Sequence, residues 1–408
     1  MVSAIARELK SYRRTILKAM RQKIFCISYG NIAYSLKHLD IQGIIDMSFE
    51  NVLWLNHRDF FHPRAGGAER TILEVSTRLV RKGYNVTWLS THSPNLPLEQ
   101  EINGIRILRL GGNISSHFRN LMFERRYRDD TVVIDDLAHV VPWLSERFSS
   151  LPGTVFFRHL HRRTLDGQLS PIKASVLKRI ENNYPRLYRK WPFVTESEQG
   201  IKDLQELGLP PERTVRIPPG VDTDRLLPHE KYDQPSLIYF GGLRDYKRPY
   251  EALHLLKELL PIYPDIKLRV SGSGPSLPKM KSLALSLGLR KNVEFLGRLD
   301  EKELFDVVSR SWLNLHFSRA EGWGYSILEA SSCGTPTLAY DVPGVSEAIL
   351  NDKNGVTVQD HRWEELFENA RKMLDNYGSW GQTSRNVAKY YSWDVTASIW
   401  EKHLLSIS

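Results

Sequence analysis

Glu321 and Glu329 stand eight positions apart in one short segment, Ala320 to Ala330, with glycines at 322 and 324. Glycines let the backbone bend closely around a ligand. Carboxylates accept hydrogen bonds from the hydroxyl groups of a sugar or a ribose. A helix beginning near Tyr325 would add free N–H groups and a positive dipole end, which favour a diphosphate. The alternative interpretation is a solvent-exposed loop before a helix stabilised by a glutamate near its start.

Three cations, Arg244, Lys247 and Arg248, follow the glycine pair Gly241-Gly242. The segment lies after a predicted strand and before a predicted helix, where phosphate-binding loops are found. Such cations could neutralise a leaving diphosphate. A charged surface turn is the alternative.

A second glycine pair, Gly66-Gly67, lies in the first strand-to-helix turn and would allow a close approach to a ligand. The turn lacks the Gly-x-Gly-x-x-Gly spacing, and no acidic residue follows at the expected strand end. A nicotinamide cofactor is therefore disfavoured. A plain tight turn is the alternative.

Two histidines, His159 and His161, follow the predicted strand 154–157. They would share one face if the strand continued, and that position favours contact with a substrate. A polar loop whose histidines cap backbone groups is the alternative. Zinc is disfavoured because the spacing suggests no third ligand, and no other metal site is expected.

The elements that carry these residues form two similar halves of an α/β protein. A strand, a glycine loop, a helix and a strand open the first half near Asn51, and the pattern restarts after prolines 210–211 and 218–219. Open parallel sheets bind ligands beyond the carboxyl ends of their strands. Two such domains facing each other would enclose a deep cleft between them.

Charge and composition restrict the environment of the chain. The 408 residues carry a net charge of +9, with seven cationic residues and one anionic residue in positions 1–23. Residues 4–24 predict an amphipathic basic helix, which would bind an anionic membrane surface or pack on the protein's own body. Apolar runs are too short to span a bilayer, and no signal peptide is visible. The two cysteines fit the cytoplasm. Without a reading motif, nucleic-acid binding is disfavoured.

The order of these segments resembles the family 4 glycosyltransferases, and the resemblance covers about residues 50–408. Glu321 to Glu329 matches the family's Glu-x7-Glu motif, with Glu-Gly-Phe-Gly written here as Glu-Gly-Trp-Gly. Four further segments are similar to family motifs: Ile217 to Asp222, Asn292 to Arg298, Cys333 to Pro336, and Ser392-Trp393.

The resemblance implies the GT-B fold: two Rossmann-like domains with parallel sheets facing across a cleft, and a C-terminal helix returning to the N-terminal domain. We therefore predict a basic extension over 1–48, an acceptor domain over 49–215, a nucleotide-sugar domain over 216–385 and the returning helix over 386–408.

The resemblance also implies retaining transfer of a hexose from a nucleotide diphosphate sugar to a glycan or lipid-linked acceptor, without a metal or other cofactor. Such an enzyme of glycan biosynthesis would be cytoplasmic, at the inner face of the membrane if the basic helix binds there.

Roles are carried over by position. Glu321 and the backbone of Gly322, Trp323, Gly324 and Tyr325 would hold the donor sugar. Glu329 would hold the ribose, and Lys247 the diphosphate. Gly66 and Gly67 would approach the donor from the other domain. His159 matches the family histidine near the donor sugar, with His161 as the second choice.

One position departs from the family pattern. The family places an arginine where this chain has Gly242, and Arg244 is the candidate replacement. The departure is the one sequence feature that favours the alternative function, a non-catalytic partner that binds nucleotide sugar or glycan within a glycosylation complex.

Overall fold

The structure, a computed structural model, describes residues 49–407 except 113–114, 125, 128–129, 163–170, 320 and 322. The predicted basic extension over 1–48, its helix at 4–24 and Gly322 lie outside the described residues. No helix in the described part of the chain is both long and apolar enough to cross a membrane.

Within the described residues, eight strands form the N-terminal sheet, in the order β3-β4-β2-β1-β5-β6-β7-β8. All neighbours are parallel except β3 and β4. The strands are β1 (Asn51–Leu55), β2 (Asn85–Ser90), β3 (Glu99–Ile102), β4 (Ile105–Arg109), β5 (Thr131–Asp136), β6 (Gly153–Phe157), β7 (Phe193–Thr195) and β8 (Thr214–Arg216). The central strands β1, β5 and β6 are almost fully buried because helices cover both faces.

The helices of this half are α1 (Gly67–Arg81), α2 (Ser115–Glu124), α3 (Ser145–Phe148), α4 (Pro171–Glu181), α5 (Tyr184–Leu187) and α6 (Glu198–Glu206). Helix α1 has an apolar face that is buried at Ile72, Val75 and Leu79. It ends at Arg81, and Gly83, with a positive φ of 100°, turns the chain away two residues later.

Six parallel strands form the second sheet of the described chain, in the order β11-β10-β9-β12-β13-β14. They are β9 (Ser236–Phe240), β10 (Lys267–Ser271), β11 (Val293–Gly297), β12 (Leu313–His316), β13 (Thr337–Tyr340) and β14 (Gly355–Val358). The helices are α7 (Tyr250–Leu259), α8 (Leu277–Ser286), α9 (Glu301–Arg310), α10 (Tyr325–Ser332), α11 (Trp363–Asp375), α12 (Trp380–Lys389) and α13 (Trp393–Ile407).

Each sheet has a switch point, where the strand order changes direction. In the N-terminal sheet it lies between β1 and β5, and in the second sheet between β9 and β12. Because connecting loops leave opposite faces of the sheet there, a crevice opens beyond the strand ends. His139 follows β5, and His159 and His161 follow β6, so these histidines are close to the first crevice. The Glu321 loop follows β12 at the second crevice.

The last helix, α13, returns to the N-terminal half. Its Trp400 ring packs against Trp54 of β1 at 5.2 Å and against Phe156 of β6 at 4.9 Å. Arg78 of α1 donates to Asp394 at 2.6 Å. At the start of α13, a Cβ built on Gly220 would lie 2.6 Å from the Trp393 Cα, so only glycine fits this crossing. The predicted returning helix is confirmed; the domain limits at 215/216 and 385/386 stay predictions.

Candidate active site

A lysine and a glutamate from two loops of the second domain meet beyond its sheet. Lys247 Nζ lies 2.8 Å from Glu321 Oε1, and Ser318 Oγ donates to the same oxygen at 2.7 Å. The Lys247 side chain is 22% exposed and the Glu321 side chain 15%, so the pair is screened from water but still reachable. The structure therefore brings together two residues that stand 74 positions apart in the sequence.

Electrostatics keep Glu321 ionised. Burial raises the pKa of its carboxyl, but the charge of Lys247 and the hydrogen bonds from Lys247 and Ser318 outweigh this effect, so the pKa lies below its ordinary value. His316, at the end of β12, has its Nε2 3.7 Å from Glu321 Oε1. Burial lowers the pKa of His316 to about 4, which leaves the imidazole neutral at pH 7.

Glu329 lies about one turn into α10, and its environment differs from that of Glu321. Burial raises the pKa of its carboxyl to about 7, although the positive charges of Arg70 and Lys247 oppose the rise. Arg70 belongs to α1 of the other domain, so Glu329 faces both domains. A carboxylate that is half-protonated near neutrality and has cations nearby can accept hydrogen bonds from a bound diol.

The Lys247 loop is held in place by a neighbouring glycine loop. Gly241 and Gly272 have positive φ angles of 125° and 140°, and a Cβ on Gly272 would overlap the Gly241 carbonyl oxygen. Leu243 N donates to Ser273 O at 2.9 Å, and Tyr239 Oη donates to Lys247 O at 2.9 Å. Close backbone packing of this kind requires glycine and fixes the position of the lysine.

The other two cations of this segment have different surroundings. Arg248 forms a bidentate pair with Asp360, both bonds being 2.6 Å long, so it stabilises the loop and is not free for a diphosphate. Arg244 is exposed, and its Nε lies 4.0 Å from a Cβ built on Gly242. The Arg244 side chain thus lies beside Gly242, and its replacement of the family's arginine stays a prediction.

The glycine pair of the N-terminal domain faces the start of α10. A Cβ on Gly67 would lie 3.1 Å from the ring of Tyr325, whereas a Cβ on Gly66 would meet only Glu69 Oε2, at 3.9 Å. Gly66 N donates to Glu69 Oε2 at 2.7 Å. The Gly66-Gly67 turn therefore approaches the Glu321–Glu329 segment, and its contact with a donor stays a prediction.

Tyr325 links the two domains through its phenol group. Its hydroxyl donates to Glu196 Oε1 at 2.9 Å and lies 2.7 Å from Thr71 Oγ1. Arg158 Nη1 donates to the same Glu196 oxygen at 2.9 Å and pairs with Asp136 through Nη2 at 2.7 Å. Tyr325 N itself donates to Trp323 O at 3.0 Å. Both polar groups of Tyr325 therefore have protein partners.

Replacing Tyr325 with phenylalanine removes these interdomain hydrogen bonds and keeps the ring. We expect the free energy of unfolding to fall by about 1–3 kcal/mol, because Glu196 stays buried and loses a donor. Urea unfolding measures the change. Tyr390→Phe is the matched control, since Tyr390 is 76% exposed. Equal stability of the two variants would contradict a linking role for Tyr325.

Trp323 and Gly324, the two remaining residues of the Glu321 loop, pack against other parts of the protein. Trp323 is 3% exposed and packs on Tyr391 at 5.8 Å, so its indole faces the interior. A Cβ on Gly324 would lie 2.5 Å from Ile327 and 3.3 Å from Ala348. Gly324 therefore lets α10 begin close to its neighbours, and any contact of residues 323 and 324 with a donor would come from the backbone.

The two candidate histidines differ in their contacts and in their exposure to solvent. His161 N donates to Glu181 Oε1 at 2.7 Å, and its ring Nδ1 lies 3.5 Å from that oxygen. His159 is accessible to solvent, and it lies near enough to Glu321 to feel its negative charge. His159 therefore faces the second domain, and His161 is held within its own domain.

Sequence reasoning missed His316 and Glu196 as parts of this region, and it gave Arg158 no role. His316 is the last residue of a predicted strand, so its position before the Glu321 loop was an available signal. Glu196 follows β7 in a segment with no recognisable motif. The described residues contain no group of histidine, cysteine, aspartate and glutamate side chains that could hold a metal ion.

Comparison with known proteins identifies the family. Residues 65–225 match the family described as Glycosyltransferase Family 4, and residues 226–392 match Glycosyl transferases group 1. A D-inositol 3-phosphate glycosyltransferase of Rhodococcus erythropolis is 29% identical over 384 residues, spanning 82% of this chain and 85% of that protein. A second one, from Rhodococcus jostii, is 28% identical, and the match spans 49% of each chain.

Solved structures share the fold at low identity. Sucrose-phosphate synthase from Thermosynechococcus elongatus superposes with a TM-score of 0.71 at 17% identity, covering 88% of this chain and all of that one. Anabaena HepE in complex with UDP-glucose superposes with a TM-score of 0.69 at 15% identity, covering 87% and 99% of the two chains. The GT-B fold is confirmed. The chain belongs to glycosyltransferase family 4 and is an enzyme that transfers a glycosyl group.

Proposed function

We propose that the chain is a retaining hexosyltransferase that moves a sugar from a nucleoside diphosphate sugar to a glycan or lipid-linked acceptor without a metal ion. The observation that carries this proposal is the Lys247–Glu321 pair, which lies beyond the second sheet near Glu329 and the start of α10. HepE structures with UDP and with UDP-glucose support UDP-glucose as the first donor to test.

The residues divide the chemistry between them. Lys247, Arg244 and the N-terminal end of α10 supply positive charge for the diphosphate. Glu321 accepts hydrogen bonds from the sugar hydroxyls, and Glu329 does the same for the ribose. Gly66 and Gly67 let the N-terminal domain approach the donor closely, and His159 faces the sugar from that side.

The reaction we propose breaks the bond between the anomeric carbon and the diphosphate oxygen. The acceptor oxygen bonds to the same carbon on the same face, and its proton passes to the departing diphosphate. We favour same-face attack over a double displacement, which needs a carboxylate nucleophile. The Glu321 carboxylate in the described site is ion-paired with Lys247 and is not free to act as one. The products are a nucleoside diphosphate and a glycoside of unchanged anomeric configuration.

A panel of nucleotide sugars, ranked by the rise in melting temperature, tests the donor. The preferred donor binds only the native state and raises its stability. Incubation with that donor and an acceptor panel, with NMR of the anomeric proton, then tests transfer and retention. Inversion of the anomeric configuration would contradict the retaining mechanism. Reversible loss of activity with EDTA would contradict transfer without a metal ion.

The raised pKa of Glu329 predicts a pH dependence of donor binding. Its carboxylate is the form that accepts hydrogen bonds from ribose, and protonation through a pKa of about 7 removes it. We expect the UDP affinity to weaken as the pH falls from about 8 to about 6, more steeply in the wild type than in Glu329→Gln. Calorimetry at several pH values measures this difference, and parallel curves would exclude Glu329 from ribose binding.

A further inference from the structure

A group of basic and aromatic side chains lies beyond the carboxyl ends of β1 and β5 in the N-terminal sheet, outside the donor site. We call it the arginine–histidine cluster; its members are Arg58, Arg64, His57, His139 and Trp143. The His57 ring lies 4.7 Å from His139 and 4.3 Å from Trp143. Because β1 and β5 are neighbours at the switch point, the loops after them bring these residues together.

The arginines of the cluster have no acidic partner. Among residues 49–407 that the structure describes, no carboxylate forms an ion pair with Arg58 or Arg64. Arg58 Nη1 makes one long hydrogen bond, 3.4 Å, to Arg64 O. Glu69 is the acidic residue whose charge reaches Arg58, and its carboxylate already accepts from Gly66 N. Neither guanidinium group is therefore ion-paired within the described chain, although the charge of Glu69 partly offsets that of Arg58.

The histidines add hydrogen-bonding groups but little charge. Burial lowers the pKa of His57 to about 2 and that of His139 to about 4. The positive charges of Arg58, Arg64 and His62 lower the pKa of His139 further. These imidazoles are therefore neutral at pH 7, so the charge of the cluster comes from its arginines.

Several buried polar atoms of this region have no partner. Within the described chain, Trp143 Nε1, His57 Nδ1 and His117 Nε2 make no hydrogen bond. Trp143 is 2% exposed, and its ring lies 4.5 Å from that of His117. Buried polar atoms are normally paired, so these atoms indicate a place for a polar ligand or ordered water.

The cluster borders the path between the two domains. His161 Nε2 lies 3.2 Å from the carbonyl oxygen of Ala138, the residue before His139, and the His161 ring lies 4.5 Å from that of His159. A molecule bound at the cluster would therefore approach the donor sugar from the N-terminal side. Two guanidinium groups without an ion pair can bind a dianion, and a phosphate monoester carries a charge between about −1.5 and −2 at pH 7.

We propose that the acceptor substrate carries a phosphate group and that Arg58 and Arg64 bind this group within the arginine–histidine cluster. This proposal rests on the proposed function, because it assigns the acceptor side of the same cleft. It makes the two arginines binding residues for the acceptor, distinct from Lys247 and Arg244 on the donor side.

Inorganic phosphate is the probe, titrated calorimetrically into protein that is already saturated with UDP. Occupying the donor site first removes the other place for a phosphate group. We expect saturable binding that weakens at least about tenfold in Arg58→Gln and in Arg64→Gln, since each loses a charge-assisted contact. Arg81→Gln is the matched control: Arg81 is an exposed cation at the far end of α1, about 20 Å from Gly67.

Three outcomes would overturn the proposal. In the first, phosphate does not bind the UDP-saturated protein. In the second, both arginine variants bind phosphate as tightly as the wild type does. In the third, the variants lose UDP affinity as strongly as they lose phosphate affinity, which would assign the arginines to the donor. The UDP titration tests the proposed function separately, because failure to bind UDP counts against the donor site and not against the arginines. Arg64 is exposed, so Arg64→Gln remains informative if Arg58→Gln does not fold.

Discussion

Replacing Lys247 with alanine is expected to lower kcat by at least about a hundredfold, because it removes a fixed positive charge from the leaving diphosphate. Lys247 contacts Glu321 at 2.8 Å, so the change also raises the pKa of the Glu321 carboxyl by removing its cationic partner. Steady-state kinetics with the preferred donor measure the loss.

A control separates this effect from general loss of charge. Lys257 is an exposed cation of α7 in the same domain, and Lys257→Ala should keep the wild-type kcat. Both variants should melt cooperatively at temperatures near that of the wild type. An unchanged kcat in Lys247→Ala would exclude the lysine from catalysis and would remove the main support for the proposed mechanism.

Gly272→Ala should lower the free energy of unfolding by about 3 kcal/mol or more, since the new Cβ overlaps backbone and forces two loops apart. The atom it meets is the carbonyl oxygen of Gly241, and no flexible side chain is available to move aside. The displaced loop carries Lys247, so the activity should fall as well. Urea unfolding at pH 7 measures the stability.

Gly83→Ala is the matched control for this variant. Gly83 also has a positive φ, 100°, but a Cβ there meets nothing within 4 Å. Gly83→Ala should lower the free energy of unfolding by about 1–2 kcal/mol, because it adds only the strain of the left-handed conformation. Equal losses in the two variants would indicate that the contact between the two glycine loops contributes nothing to stability.

The part of the site that follows backbone rules could be predicted from sequence. Glycine pairs after strands, a helix start and two spaced glutamates are local signals, and they located Lys247, Glu321 and Glu329 correctly near one another. The strand-restart pattern likewise predicted two α/β halves. These signals suffice because each depends on residues close together in the chain.

The interactions between distant elements could not be predicted in this way. The Tyr325 phenol bonds to Glu196 and Thr71 of the other domain, and the pairing of Arg248 with Asp360 spans 112 positions. Neither partner is marked by a local pattern. Three strands were also missed: β3 and β8 are edge strands with no fully buried residue, and β14 is an edge strand of the second sheet with two half-buried residues.

The packing of Trp400 on Trp54 and Phe156 has a consequence for synthesis. The ribosome completes the first sheet with β8, but Trp400, whose indole covers β1 and β6, follows 184 positions after the end of β8. Until then Trp54, which is fully buried in the finished protein, lacks its cover. The nascent first domain therefore exposes an apolar surface while the second domain is translated, and we expect chaperones to bind it during that interval.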